Sequence, residues 1–204
     1  NTYGNLIDDT AGPNFLPANN SIIDMYGQSL SSSSEIYILW KNDSNGEYNV
    51  TIIKNFNQDL STVDTYVVQS SNPSFEPIGI SALNNVSSND VDVLVYDQHD
   101  IYRLNTNINP NLESMINVSE GIQDVEYIDK GNLYLYIKVS DNVSEKIINY
   151  DVNIIGNIVL PVLISTYNLN FLSNRMTFSY DKNECVFDRG SSTVSILNID
   201  TDQE

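Results

Sequence analysis

Short apolar runs that alternate with period two recur along the whole chain. Glu35-Ile36-Tyr37-Ile38-Leu39-Trp40, Val91-Asp92-Val93-Leu94-Val95-Tyr96, Asn132-Leu133-Tyr134-Leu135-Tyr136-Ile137 and Thr193-Val194-Ser195-Ile196-Leu197-Asn198-Ile199 are β-branched and aromatic. Asn, Asp, Gly and Ser clusters bound them, which is the pattern of short strands with turns between. No segment keeps apolar residues at i, i+3, i+4 and i+7 over three turns without alternation fitting as well. Thirteen Tyr against three Ala point the same way, because aromatics suit strands and Ala suits helices. The chain reads as all-β. Asn45-Gly46, between two such runs, is its clearest hairpin turn and predicts a type I′ turn with two positive φ angles.

Laid over itself, the sequence falls into four units, roughly residues 22–70, 77–119, 122–165 and 174–204. Each opens with an apolar strand followed by a hairpin. The first runs Ile22–Gln28, Glu35–Asn42, Tyr48–Asn55, and the second Pro77–Leu83, Val91–Asp97, Asp100–Leu104. The third runs Ile122–Ile128, Asn132–Val139, Lys146–Val152, and the fourth Met176–Tyr180, Glu184–Asp188, Thr193–Ile199. Three units add a further strand, at Thr65–Gln69, Met115–Val118 and Val159–Ser165. Four strands per ~40–50 residues is the period of a propeller blade. The expected fold is therefore a β-propeller-like array of about four blade-like units in a single all-β domain, or a piece of a larger propeller. A β-sandwich is the alternative.

The fourth unit carries wording of its own. Phe178-Ser179-Tyr180-Asp181-Lys182-Asn183-Glu184-Cys185-Val186-Phe187, then Gly190-Ser191-Ser192-Thr193-Val194-Ser195-Ile196-Leu197-Asn198-Ile199-Asp200, resembles the TolB-type, WD-like propeller repeat. That repeat reads Phe-Ser-x-Asp-Gly, a short apolar strand, then a strand ending in an Asp-containing turn. The resemblance covers about 25 residues. Lys182 stands where the repeat usually has Gly, and no Trp-Asp dipeptide occurs. The resemblance implies a fold and no activity, since propellers host enzymes, adaptors and receptors alike.

Nine basic against twenty-seven acidic residues give a net charge of −18. Nucleic acid and anionic membrane surfaces need a cationic face, so neither is an expected partner. The most apolar stretch, Ile154–Ile164, is broken by Gly156, Asn157 and Pro161 and is about half the ~20 residues of a spanning helix. No membrane insertion and no secretory leader are expected, and the start at Asn1 reads as a processed or partial product. The single Cys185 excludes an internal disulfide and Cys-rich metal centres. Because it sits in an alternating strand, it reads as an inert core thiol. The single His99, in Asp97-Gln98-His99-Asp100, could serve as a general base beside carboxylates. A solvated turn residue is the preferred reading.

Acidic clusters occur at Asp8-Asp9, Asp43–Glu47, Asp181–Glu184 and Asp200–Glu204. Turn oxygens of this kind can chelate calcium, and Asp43, Asn45 and Glu47 are the best local set. No full calcium loop follows, so ordinary turn chemistry is expected and no cofactor is assigned. Sequons at Asn19, Asn42, Asn49, Asn85, Asn117 and Asn142 are about as many as a chain this rich in Asn, Ser and Thr carries by chance. No residue is assigned a catalytic, cofactor or metal role. The expected function is a non-catalytic structural or protein-interaction module of a surface, secreted or virion assembly. A carbohydrate-active or other hydrolytic propeller using channel carboxylates is the alternative. The expected partner is a protein, or a second copy, at an exposed sheet edge. Thr193–Ile199 would be paired there either by Asn1–Asp8 or by another chain.

Overall fold

Alternation of this kind demands a cover for each apolar face, and the covers differ along the chain. The computed structural model describes residues 16–29, 34–54, 62–84, 91–105, 108–130, 132–141, 143–155, 158–179, 182–190 and 192–199. These hold fifteen strands and no helix. The first sheet comprises β1 (Asn20–Ser29), β2 (Ser34–Asn42), β3 (Tyr48–Lys54) and β4 (Thr62–Val67). The second comprises β5 (Gly79–Asn84), β6 (Val91–Tyr96), β7 (Asp100–Leu104) and β8 (Leu112–Asn117). The third comprises β9 (Gly121–Asp129), β10 (Leu133–Ser140), β11 (Glu145–Ile155) and β12 (Ile158–Leu169). The fourth has β13 (Arg175–Phe178), β14 (Glu184–Asp188) and β15 (Val194–Asn198). Each sheet is an antiparallel meander in which sequence neighbours are spatial neighbours. Every strand expected from the alternation is present, within a few residues of its expected limits.

The chain forms two compact units, Asn1–Val68 and Gln69–Glu204. In the first, Ile36, Ile38 and Trp40 share one face of β2 and pack with Ile53, Met25 and Leu16. The Trp40 indole N–H donates to Thr51 Oγ1 at 2.9 Å, so the one polar atom of the ring is satisfied. Tyr37, fully buried, donates its hydroxyl to Glu35. Burial, then this carboxylate, pushes the phenol far above its ordinary range.

The β2–β3 hairpin is where the sequence reading put it, with Lys41 opposite Tyr48. Its turn is not type I′. Among the residues of this turn only Gly46 has positive φ, at +79°. Asn42 Oδ1 accepts the Ser44 N–H at 3.0 Å, which starts a helical turn through Asp43–Asn45. Gly46 then closes it in the left-handed region, with its N–H on the Asn42 carbonyl at 2.7 Å and the Asn42 N–H on Glu47 O at 2.8 Å. A side chain that captures the backbone two residues on favours this longer loop.

In the second unit three sheets pack in sequence order. The second and third share a core in which Leu94, Tyr96, Ile101 and Ile116 meet Val125, Tyr127, Leu135, Ile137 and Val139. The opposite face of the third sheet, with Ile128, Tyr136 and Ile147, packs on Met176, Cys185, Phe187 and Ile199 of the fourth. Odd residues of β10 thus face one neighbour while Tyr134 and Tyr136 face the other. Tyr136 meets Phe178 at 4.7 Å between ring centroids. A sheet covered on both faces by different sheets is not a sandwich layer. The four sheets are blade-like units of propeller type, and the sandwich alternative falls.

Two positions show how local chemistry serves this packing. Gly79 lies beneath the Tyr96 ring, where a Cβ would fall 2.1 Å from the hydroxyl oxygen, so no side chain fits. Between β13 and β14, Lys182 takes φ 62°. Its N–H donates to Ser179 O at 2.8 Å, and Ser179 Oγ accepts the Glu184 N–H at 3.1 Å. Among the described residues the fourth sheet has three strands and β15 is an edge of it, with Val194 and Ile196 exposed. The expected pairing segment Asn1–Asp8 lies outside the described residues.

Candidate functional site

One end of the second unit gathers the turns that join β6 to β7, β8 to β9, β10 to β11 and β12 to β13. Asp97 builds the first of them. Its Oδ1 accepts the His99 N–H at 2.9 Å and the Asp100 N–H at 2.8 Å. The β8–β9 segment pins the turn from the side: Val118 N–H donates to His99 O at 2.9 Å and Ile122 N–H to Gln98 O at 2.8 Å. His99 is thereby presented exposed, with its backbone fixed from both directions.

The ring itself is oriented. His99 Nδ1 lies 3.2 Å from the Glu120 carbonyl oxygen. A carbonyl oxygen only accepts, so Nδ1 carries the proton of this contact and the neutral ring keeps its lone pair on Nε2. Glu120 pairs through its carboxylate with Lys146 at the start of β11 and accepts Ser119 Oγ at 2.8 Å. Lys146, then Ser119, hold the Glu120 carboxyl below its ordinary 4.5. Asp100 accepts from Asn117 Nδ2 at 2.7 Å. Two contacts thus link the three turns: the His99 ring with the Glu120 carbonyl, and the Glu120 carboxylate with the Lys146 ammonium.

Beside it lies a buried ion pair with a structural task. Lys138, with no exposed surface, reaches Glu145 Oε1 at 3.4 Å and the Ser173 carbonyl at 2.6 Å. Glu145 Oε2 accepts both the Ser173 N–H at 3.0 Å and its Oγ at 2.9 Å. Together they tie the β12–β13 connection to the third sheet. Asp124 on β9 does the same between sheets, accepting the Met176 N–H at 2.8 Å. At the other end of the unit, Arg103 clasps Asp92 through Nε at 2.7 Å and Nη2 at 2.6 Å. Tyr127 beside them has its phenol raised, first by burial and then by Asp92.

The other residues singled out by sequence are placed as follows. Cys185 is fully buried on β14, and burial pushes its thiol well above the ordinary range. Asp43 turns to Ser21 Oγ at 2.9 Å and 3.0 Å, while the Glu47 carboxylate takes the Asn45 amide. Asn45 and Glu47 thus bond each other, while Asp43 bonds Ser21. Among the described residues no three His, Cys, Asp or Glu side chains gather as a metal-ligand group. Of the sequons, Asn49 is buried and the Asn117 amide is bonded to Asp100. Asp8, Asp9, Asp181, Asn85, Asn142 and Asp200–Glu204 lie outside the described residues. No helix among the described residues is long and apolar enough to cross a membrane. Glu120 and Lys146 escaped the sequence reading because they stand 21 and 47 positions from His99 with no local motif. Their only sequence signal is their place in the turns that open successive strands.

Fold and site together define a class: an all-β chain of propeller blades with polar groups collected at one end. Among solved structures the chain is similar to a protein from Bacteroides uniformis provisionally described as a 6-phosphogluconolactonase. The TM-score is 0.56 at 12% identity, over 88% of this chain and 50% of that one. The chain therefore spans half the length of that structure. No protein-family model matches the chain, and no curated protein does.

This likeness corrects the expected function. The non-catalytic structural, interaction or virion module loses its ground, because the solved propeller that the chain resembles is described as an enzyme. That expectation rested on the lack of a contiguous catalytic motif. A site drawn from turns of separate sheets, as around His99, leaves no such motif in sequence.

Proposed function

We propose that the chain is a hydrolytic β-propeller acting on a sugar-derived ester or lactone, with His99 as general base. The observation that carries the reading is the contact of His99 Nδ1 with the Glu120 carbonyl, which leaves Nε2 as a base on an exposed ring. Nε2 takes a proton from water as the water oxygen bonds to the carbonyl carbon. The carbon–alkoxide bond then breaks, and the same proton passes to the leaving alkoxide. Glu120 fixes the ring through its carbonyl and holds Lys146 through its carboxylate. A net charge of −18 repels anions, so an uncharged substrate is preferred to its phosphorylated counterpart. The fourth sheet we read as a TolB-type repeat. The left-handed φ of Lys182, at the position where that repeat usually has Gly, supports this reading.

Acid release from a panel of neutral and phosphorylated sugar lactones and aryl esters tests the function. His99→Gln should lower kcat by roughly 10²- to 10⁴-fold with the circular dichroism spectrum unchanged. Added imidazole should restore part of the rate to His99→Gly. A His99→Gln protein with full kcat overturns the assignment.

A further inference from the structure

Two carboxamides converge beside Gly121. β9 carries a bulge there: Ile122 pairs with Val139 and Asp124 with Lys138, so Gln123 is the extra residue between them. Bulges re-aim a side chain and are over-represented next to active sites. Gln98 comes from the β6–β7 turn, where its carbonyl accepts the Ile122 N–H at 2.8 Å. A Cβ placed on Gly121 would lie 3.8 Å from Gln98 Nε2, 3.8 Å from Gln123 Nε2 and 3.4 Å from the Ser140 carbonyl oxygen. Two amides from different turns therefore flank one point that glycine leaves open. Both glutamines are exposed, and neither amide bonds a protein group among the described residues. Gln98 precedes His99 in the chain, and Gly121 follows Glu120, whose carbonyl holds the His99 ring.

We propose that Gln98 and Gln123 form the subsite that binds the ring hydroxyls of a neutral sugar substrate, a placement that rests on the hydrolytic reading of this end. A carboxamide offers an N–H donor edge and a C=O acceptor edge and carries no charge. A hydroxyl also donates and accepts, so two amides match a pair of neighbouring sugar hydroxyls. A phosphate would instead call for cations, and Lys146 at this end is already held by Glu120. Because the two glutamines share their turns with His99 and Glu120, hydroxyls held here and a carbonyl carbon at the His99 ring belong to one small substrate. A site built to bond hydroxyls discriminates against the analogue that lacks them, since its amides then lose water without gaining a partner.

Kinetics on gluconolactone and on δ-valerolactone, which has the same ring without the hydroxyls, test the subsite. Gln98→Leu and Gln123→Leu should each raise KM for gluconolactone by roughly three- to tenfold, the loss of one net hydrogen bond, with kcat little changed. KM for δ-valerolactone should stay where it is. A gluconolactone KM at the wild-type value in both variants overturns the subsite and leaves the hydrolytic reading standing. Methyl glucoside, which has no acyl bond, separates the two further. It should shift the side-chain NH2 signals of Gln98 and Gln123 in a proton–nitrogen NMR spectrum, in the wild type and in His99→Gln, whereas tetrahydropyran should not. Those shifts in a protein that hydrolyses no lactone overturn the hydrolytic reading alone. Their absence overturns the subsite, as does an equal response to tetrahydropyran.

Discussion

Replacing Lys182 separates backbone strain from side-chain bonding at the β13–β14 turn. Lys182 holds φ 62°, a conformation that costs a residue with a Cβ about 1 kcal/mol and glycine nothing. Its ammonium also donates to the Asp129 carbonyl, which ties the turn to the end of β9. Such a bond at a half-buried site contributes about 1 kcal/mol net. Lys182→Ala removes the bond and keeps the strain, so it should destabilise by about 1 kcal/mol. Lys182→Gly removes the bond and the strain together, so it should sit near wild type. Glycine should thus exceed alanine by about 1 kcal/mol, which for a chain of this size is about 2–4 °C in melting temperature. In an ordinary turn or strand the order reverses, since Gly has more unfolded-state entropy to lose. Thermal melts of the two variants side by side decide it. Alanine equal to or above glycine refutes the left-handed assignment and with it the geometry of this turn.

Leu135 is fully buried between the second and third sheets, so Leu135→Ala should cost about 2–5 kcal/mol in urea unfolding. Glu145→Ala strands the Lys138 ammonium without its carboxylate and should cost about 3–5 kcal/mol, more than a surface Glu→Ala such as Glu76→Ala. Glu120 has a lowered folded pKa, so its contribution to stability is complete above the unfolded value near 4.5 and disappears as pH falls through the lower folded value. Glu120→Gln should therefore flatten the acid limb of a stability–pH curve, and an unaltered limb contradicts the Lys146 pairing. Cys185 should resist a thiol reagent in the native protein and react after unfolding, because burial disfavours its thiolate.

Much of the architecture was legible because a sheet sandwiched between two others must be apolar on both faces. The strand expected over Asn132–Val139 is β10, Leu133–Ser140, whose apolar residues face a neighbouring sheet on each side. The type of the Asn42–Glu47 turn was not legible, since it depends on Asn42 capturing the Ser44 N–H rather than on the Asn-Gly dipeptide. Lys138 shows a second limit. A lysine in an alternating strand reads as solvent-facing, yet Glu145 and Ser173 let it sit fully buried. Around His99 the limit is deeper. Alternation places each turn between strands, but it does not reveal which turns the packing of sheets brings together.

His99 is the only histidine of the chain, so its ring nitrogens give a single unambiguous signal set in a long-range proton–nitrogen NMR correlation. That spectrum, recorded on the native protein, reports its tautomer directly. The contact with the Glu120 carbonyl predicts a protonated Nδ1 and a lone pair on Nε2, with the pattern abolished on unfolding. A proton resident on Nε2 in the folded chain contradicts it and removes the base from the proposed hydrolysis.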